Sequence, residues 1–206
     1  MTHFHPVGRA SATSAANHMN CADLTAPKAT AGIDFAAQRP SNCTHLYESS
    51  LENMDALIAH AKKQVETGEA LLGTYFVRYA ETTVSFCPDA NTSQERDETV
   101  RFIKNFVAKV NPDFVLLIAN GWTLPNPTSA KYAAALNKYG SVRASPKAIR
   151  SVIFSLETST GLYAALPRVV PKSLWSTRKM LEKASWHEVN DGNGTFQRVF
   201  PEQGSH

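Results

Sequence analysis

Residues 92–118 read TSQERDETVRFIKNFVAKVNPDFVLLI, and two elements follow from them. Thr92-x-x-Glu95 has the spacing of a capping box, in which a hydroxyl and a carboxylate satisfy free amides at a helix start. Val100, Ile103, Phe106, Val107 and Val110 recur at helical spacing, which predicts a helix over about 93–110 with one apolar stripe. Glu95, Asp97 and Glu98 near its start, and Lys104 and Lys109 near its end, complement the helix dipole. Asn111-Pro112 stops it, and Phe114 to Ile118 is an unbroken apolar run. Such a run predicts a strand buried on both faces. An amphipathic helix leading directly into a buried strand predicts α/β layering.

On the amino-terminal side, Ser49-x-x-Glu52 is a second capping-box signature. Leu51, Met54, Leu57, Ile58, Ala61 and Val65 follow at helical spacing, predicting a helix over about 50–67 that stops near Gly68. Residues 71–86 are rich in β-branched and aromatic types, which predicts one long strand, or two with a break around Ala80–Thr82. On the carboxyl-terminal side, Gly121-Trp122 closes the buried strand. Ser129 to Tyr139 predicts a short helix, and residues 140–148 read as irregular. Ile149–Leu156 and Leu162–Val170 flank Glu157–Gly161 as a hairpin, with Pro167 marking an edge or frayed arm. Ser173–Ala184 predicts a further helix. Trp186–Val189 and Thr195–Phe200 predict a second hairpin around Asp191–Gly194. The expected fold is α/β, with α+β as the variant. It is a single domain over 46–206, with a mixed central sheet of about five or six strands and helices packed on it.

Residues 1–45 are different. Ala, Ser, Thr and Asn make up 21 of these 45, and no apolar periodicity is sustained. Such a stretch buries too little surface to offset its ordering entropy, so a disordered arm is expected. It lacks the apolar core of a secretory signal. Its Ser/Thr-rich composition also fits an export address of an injected bacterial protein. His3-Phe4-His5 reads as a flexible tip rather than a metal site. Three cysteines, Cys21, Cys43 and Cys87, exclude a disulfide scaffold and fit a cytoplasmic location. No apolar run reaches the roughly 18 residues of a membrane span, so no membrane partner is expected.

The charge is unevenly distributed. Residues 46–113 carry seven basic and eleven acidic side chains, whereas 114–206 carry eleven basic and five acidic ones. Between Phe114 and Leu181 the single acidic residue is Glu157. A surface that basic attracts a polyanion, either nucleic acid or an acidic protein. Tyr132, Tyr139, Tyr163 and Trp175 are interleaved and offer rings for stacking on bases. The competing expectation is that these cations pair with acids from the other half. The anion contacts expected are Arg143, Lys147, Arg150 and Arg168: the first two in the irregular segment, the others on the hairpin arms. Asn120, Gly121 and Trp122 end the most buried strand, where α/β sheets place ligands, and form a candidate pocket.

Catalytic signatures are sparse. There is no phosphate-binding P-loop, dinucleotide fingerprint, nucleophile elbow, HExxH or CxxC. No cofactor and no structural metal are expected. Cys87 reads as a buried thiol, and His60 and His187 as solvated. Glu157, Asp89 and Asp113 sit at element ends and are the catalytic candidates for a metal-dependent hydrolase or nuclease.

One resemblance arises within Pro112–Arg168. Asp113-x-Val115 runs on to Gly121-Trp122, followed by Ser145-Pro-Lys-Ala148, then Leu156-Glu-Thr158, Gly161 and Pro167-Arg168. The arrangement resembles a diffuse set of uncharacterised small α/β proteins of bacteria and phages. It spans about a quarter of the chain. It implies a bacterial or mobile-element setting, no chemistry, and no residue role. The favoured expectation is a non-enzymatic protein whose basic carboxyl-terminal half engages an anionic partner. The alternatives are the hydrolase above and an inhibitor or effector-type interaction protein.

Overall fold

The computed structural model describes residues 24–25, 45–49, 53–88, 92–189 and 198–200. In chain order these form β1 (Leu24–Thr25), β2 (His45–Ser49), α1 (Met54–Thr67), β3 (Thr74–Tyr79), β4 (Thr82–Cys87) and α2 (Ser93–Val110). There follow β5 (Phe114–Thr123), α3 (Ser129–Tyr139), β6 (Ile149–Glu157), β7 (Leu162–Ala165), β8 (Val169–Pro171), β9 (Lys179–Leu181) and β10 (His187–Glu188). The main sheet has eight strands in the order β1-β2-β4-β3-β5-β6-β7-β10, and β8 and β9 form a separate pair. The α/β layering is as expected. The sheet is not mixed, because every pairing among the described residues is antiparallel. Apart from Leu24–Thr25 and His45, the expected amino-terminal arm lies outside the described residues, His3, His5, Cys21 and Cys43 included.

Alternation along the central strands divides the interior into two cores. Phe76 on β3 and Leu116 and Ile118 on β5 face Leu57, Ala61 and Val65 of α1. Their neighbours Val77 and Val115 face the other way, with Phe86, onto Phe102, Ile103, Phe106 and Val107 of α2. A strand sandwiched between two helices has no polar face, which is why Phe114–Ile118 shows no alternation. The Phe86 ring meets Phe102 and Phe106 edge-on, at centroid separations of 5.3 and 5.4 Å.

Local chemistry sets the element ends. The Thr92 capping box is complete: Thr92 Oγ1 accepts from Glu95 N–H, and the Glu95 carboxylate accepts from Thr92 N–H. The helix expected from about residue 50 starts at Met54. Ser49 lies in β2, and Asn53 caps α1 by accepting from Ala56 N–H at 2.9 Å. Residues 71–86 resolve as two strands. Their turn places Ala80 and Glu81 at φ of 46° and 65°, both left-handed. That conformation matches hairpin twist and normally recruits Asn or Gly, so its sequence signature is missing here. Residues 173–184 are not a helix: β8 and β9 pair across them as a hairpin. Of the second predicted hairpin, the first arm forms a short strand at the sheet edge. His187 and Glu188 pair with Ala164 and Tyr163 of β7, and the expected turn at 191–194 lies outside the described residues. No helix among the described residues is long and apolar enough to cross a membrane.

Candidate functional site

The site is built where β5 outruns its helical cover. Up to Ile118 both faces of β5 are buried or nearly so. Beyond it Asn120 is exposed, and Trp122, on the same face, is 37% exposed. Cross-strand register sets Arg150 of β6 directly opposite Trp122, and Val152 opposite Asn120. Paired residues share a face, so Asn120, Trp122 and Arg150 share one surface. The Asn120 amide links two neighbours. Its Nδ2 donates to the Leu71 carbonyl, and its Oδ1 accepts from Arg150 Nη2 at 3.2 Å. Asn120 thereby orients the Arg150 guanidinium, a task an amide performs because it both donates and accepts.

The fourth member comes from residues 140–148. That segment is held by short-range hydrogen bonds: Ala144 N–H to Ser141 Oγ, Ser145 N–H to the Val142 carbonyl and Ala148 N–H to the Ser145 carbonyl. So braced, it sets the exposed Arg143 guanidinium 5.7 Å from the centre of the Trp122 ring, within cation–π range. On the other side of the strand, α3 is tied down by Tyr132, whose hydroxyl lies 2.8 Å from Thr123 Oγ1. Lys131 Nζ donates to the carbonyls of Pro125 and Asn126. The irregular segment expected at 140–148 is therefore an ordered one.

The structure brings together Asn120, Trp122, Arg143 and Arg150, residues from two separate sequence motifs. It sets others apart. Lys147 is exposed on the same segment as Arg143. Arg168 gives its guanidinium to Glu182, with contacts of 2.7 and 2.6 Å, and these hydrogen bonds hold the Glu182 carboxyl below the usual range. Gly121 points to the opposite face. A Cβ there would lie 2.5 Å from Ile153 Cγ1 and 3.2 Å from Ser151 Oγ, so packing alone requires glycine at this position. Ser151 is fully buried, and its hydroxyl has no partner among the described residues. Ser151→Ala should raise stability by about 0.5–1 kcal/mol in urea melts, because an unpaired buried hydroxyl is removed.

Of the three carboxylate candidates, Glu157 and Asp113 lie within the described residues. Glu157 is buried, 4% exposed, and both its oxygens are occupied by backbone: Oε2 accepts from Val199 N–H at 2.7 Å and Oε1 from Phe200 N–H at 2.9 Å. Burial pushes its carboxyl above the usual range, against the opposing pull of those two amides and of Arg198 and Lys104. Asp113 is exposed before β5, with its amide donating to the Arg78 carbonyl. Asp89 lies outside the described residues. Among the described residues no group of three or more His, Cys, Asp or Glu is placed to hold a metal ion. His60 and His187 are both exposed, and Cys87 ends β4 half-buried.

Sequence reasoning missed the hairpin tip at Leu174 and Trp175, which are 97% and 96% exposed. Pro171 and the polar run Ser176-Thr177 carried the only signal against a helix there. No protein-family model, curated protein or solved structure matches the chain.

Proposed function

We propose that this is a non-enzymatic cytoplasmic protein that binds nucleic acid through the Asn120–Trp122–Arg143–Arg150 surface. One observation carries the reading. Among the described residues, Lys131, Lys138, Arg143, Lys147, Arg150, Lys172, Arg178 and Lys179 form no ion pair with an acidic side chain. Among the described residues these eight cations are not neutralised by acidic side chains, which leaves their charge for phosphates. Arg143 and Arg150 are held in place before any ligand arrives, which lowers the entropy lost on contact. Trp122 between them offers a ring for a base or sugar.

The test is fluorescence anisotropy of labelled single- and double-stranded DNA and RNA with the full chain, at low and then moderate salt. Binding should weaken steeply with salt. The double variant Arg143→Glu/Arg150→Glu should lose at least about tenfold in affinity, and Arg143→Ala/Arg150→Ala should reduce the salt slope by about 1.4–1.8. No binding at low salt overturns the proposal. If polyglutamate binds while every nucleic acid stays free, the surface belongs to an acidic protein partner instead.

A further inference from the structure

From the β8–β9 hairpin we infer a second contact: a stacking finger for a single-stranded nucleic acid, with Trp175 as the ring and Leu174 beside it. The inference rests on the nucleic-acid reading above and adds a binding element remote from Trp122 in sequence.

The hairpin is a built structure. Val169, Val170 and Pro171 pair with Leu181, Met180 and Lys179, and Lys172 N–H donates to the Arg178 carbonyl at 2.9 Å. Its root is anchored. Leu181 and Val169 pack in the core beneath α1, Glu182 N–H donates to the Arg168 carbonyl, and the two-pronged Arg168–Glu182 pair braces the two arms. Beyond Lys172 the turn is held by Ser176 N–H to the Ser173 carbonyl and Arg178 N–H to Ser176 Oγ. What this braced hairpin presents is Leu174 and Trp175, almost wholly in water.

A large apolar pair held in water on an ordered tip costs solvation free energy and contributes nothing to the fold. A binding role accounts for it. The flanking charge selects the partner. Lys172 and Arg178 sit on opposite arms just below the tip, with Lys179 next to them, and all three are exposed. No acidic residue occurs from 158 to 181. An aromatic ring between cations on two sides suits a phosphate-linked chain of bases, in which each base stacks while the adjoining phosphates meet the cations. The root places the finger beside the first surface. Arg168 bridges Ser151, which adjoins Arg150 in β6.

The experiment titrates the full chain into a fluorescein-labelled oligothymidylate of about 20 nucleotides, a span longer than one small binding module covers. Trp175→Ala should weaken binding by at least about fivefold with an unchanged salt slope, since stacking releases no counterions. Trp175→Phe should recover part of the loss, and Lys172→Ala/Arg178→Ala should lower the slope. Trp175 is almost wholly in water and Lys172 and Arg178 are exposed, so the variants fold as the parent does. If the parent binds and Trp175→Ala binds equally well, the finger is overturned while the Arg143/Arg150 surface stands. If Trp175→Ala loses binding but Arg143→Glu/Arg150→Glu does not, the finger stands and the surface reading fails. If the parent does not bind the oligonucleotide, both fall. The finger is also overturned if Trp175 proves essential only for binding phosphatidylserine vesicles.

Discussion

Glu157→Ala is expected to destabilise the protein by about 3 kcal/mol, and trypsin should then cut after Arg198 more rapidly. The carboxylate receives two backbone amides, from Val199 and Phe200, in a buried setting. Truncation leaves two backbone donors unpaired in a buried setting, each at a cost of about 1–3 kcal/mol. Val199 is itself buried in the core against α2, so releasing it also exposes apolar surface. For a chain of this size the loss should appear as a fall in Tm of roughly 6–12 °C. Glu157→Gln should fall between, because its amide keeps one acceptor and turns a donor toward the other N–H. The pH dependence has a definite sign. Burial raises the Glu157 carboxyl above the usual range, so the folded state holds that proton more tightly than the unfolded chain does. This group's contribution is full below the ordinary carboxylate range and is lost as pH rises through the raised value. The Gln variant should lack that decline. Equal stability of the Ala variant and the parent would show that the clamp does not hold the 198–200 segment.

Phe86→Ala should cost about 3–5 kcal/mol, the range for emptying an aromatic site in a packed core. Phe86 is fully buried, and its ring touches both Phe102 and Phe106 of α2, so the space it leaves is lined by rings that cannot all move in together. Edge-to-face contacts add about 0.5–1.5 kcal/mol beyond area alone. Urea melts should show the midpoint falling with the slope nearly constant. A loss below 1 kcal/mol would mean that α2 collapses onto β4 without resistance, contrary to the packing described.

Elements governed by neighbours in sequence were legible. The α2 helix, the buried run at the start of β5 and the β6–β7 hairpin follow from capping residues, periodicity and a short Gly-containing loop. Elements governed by distant partners were not. His187–Glu188 pairs with β7 because Trp186 packs toward Phe154, a contact no local pattern encodes. The Ala80–Glu81 turn adopts left-handed angles without the residues that announce them. The site divides in the same way. Trp122 and the arginines were visible as types, but their meeting depends on the Trp122↔Arg150 register, set across a long connection. Gly121 suggested a ligand approach, whereas its reason is the Ile153 side chain behind it.

The two cores that share β3 and β5 have a consequence for how this chain can diverge. Phe76 and Val77, like Val115 and Leu116, belong to different interiors. Inserting or deleting one residue within either strand would exchange the two sets, presenting each helix with the wrong surface. The sheet centre is thus closed to changes of length. The connections at 140–148 and 172–178 carry no such constraint, and they hold Arg143 and Trp175. Descendants of this chain can re-aim both side chains by lengthening those connections while the sheet beneath stays as it is.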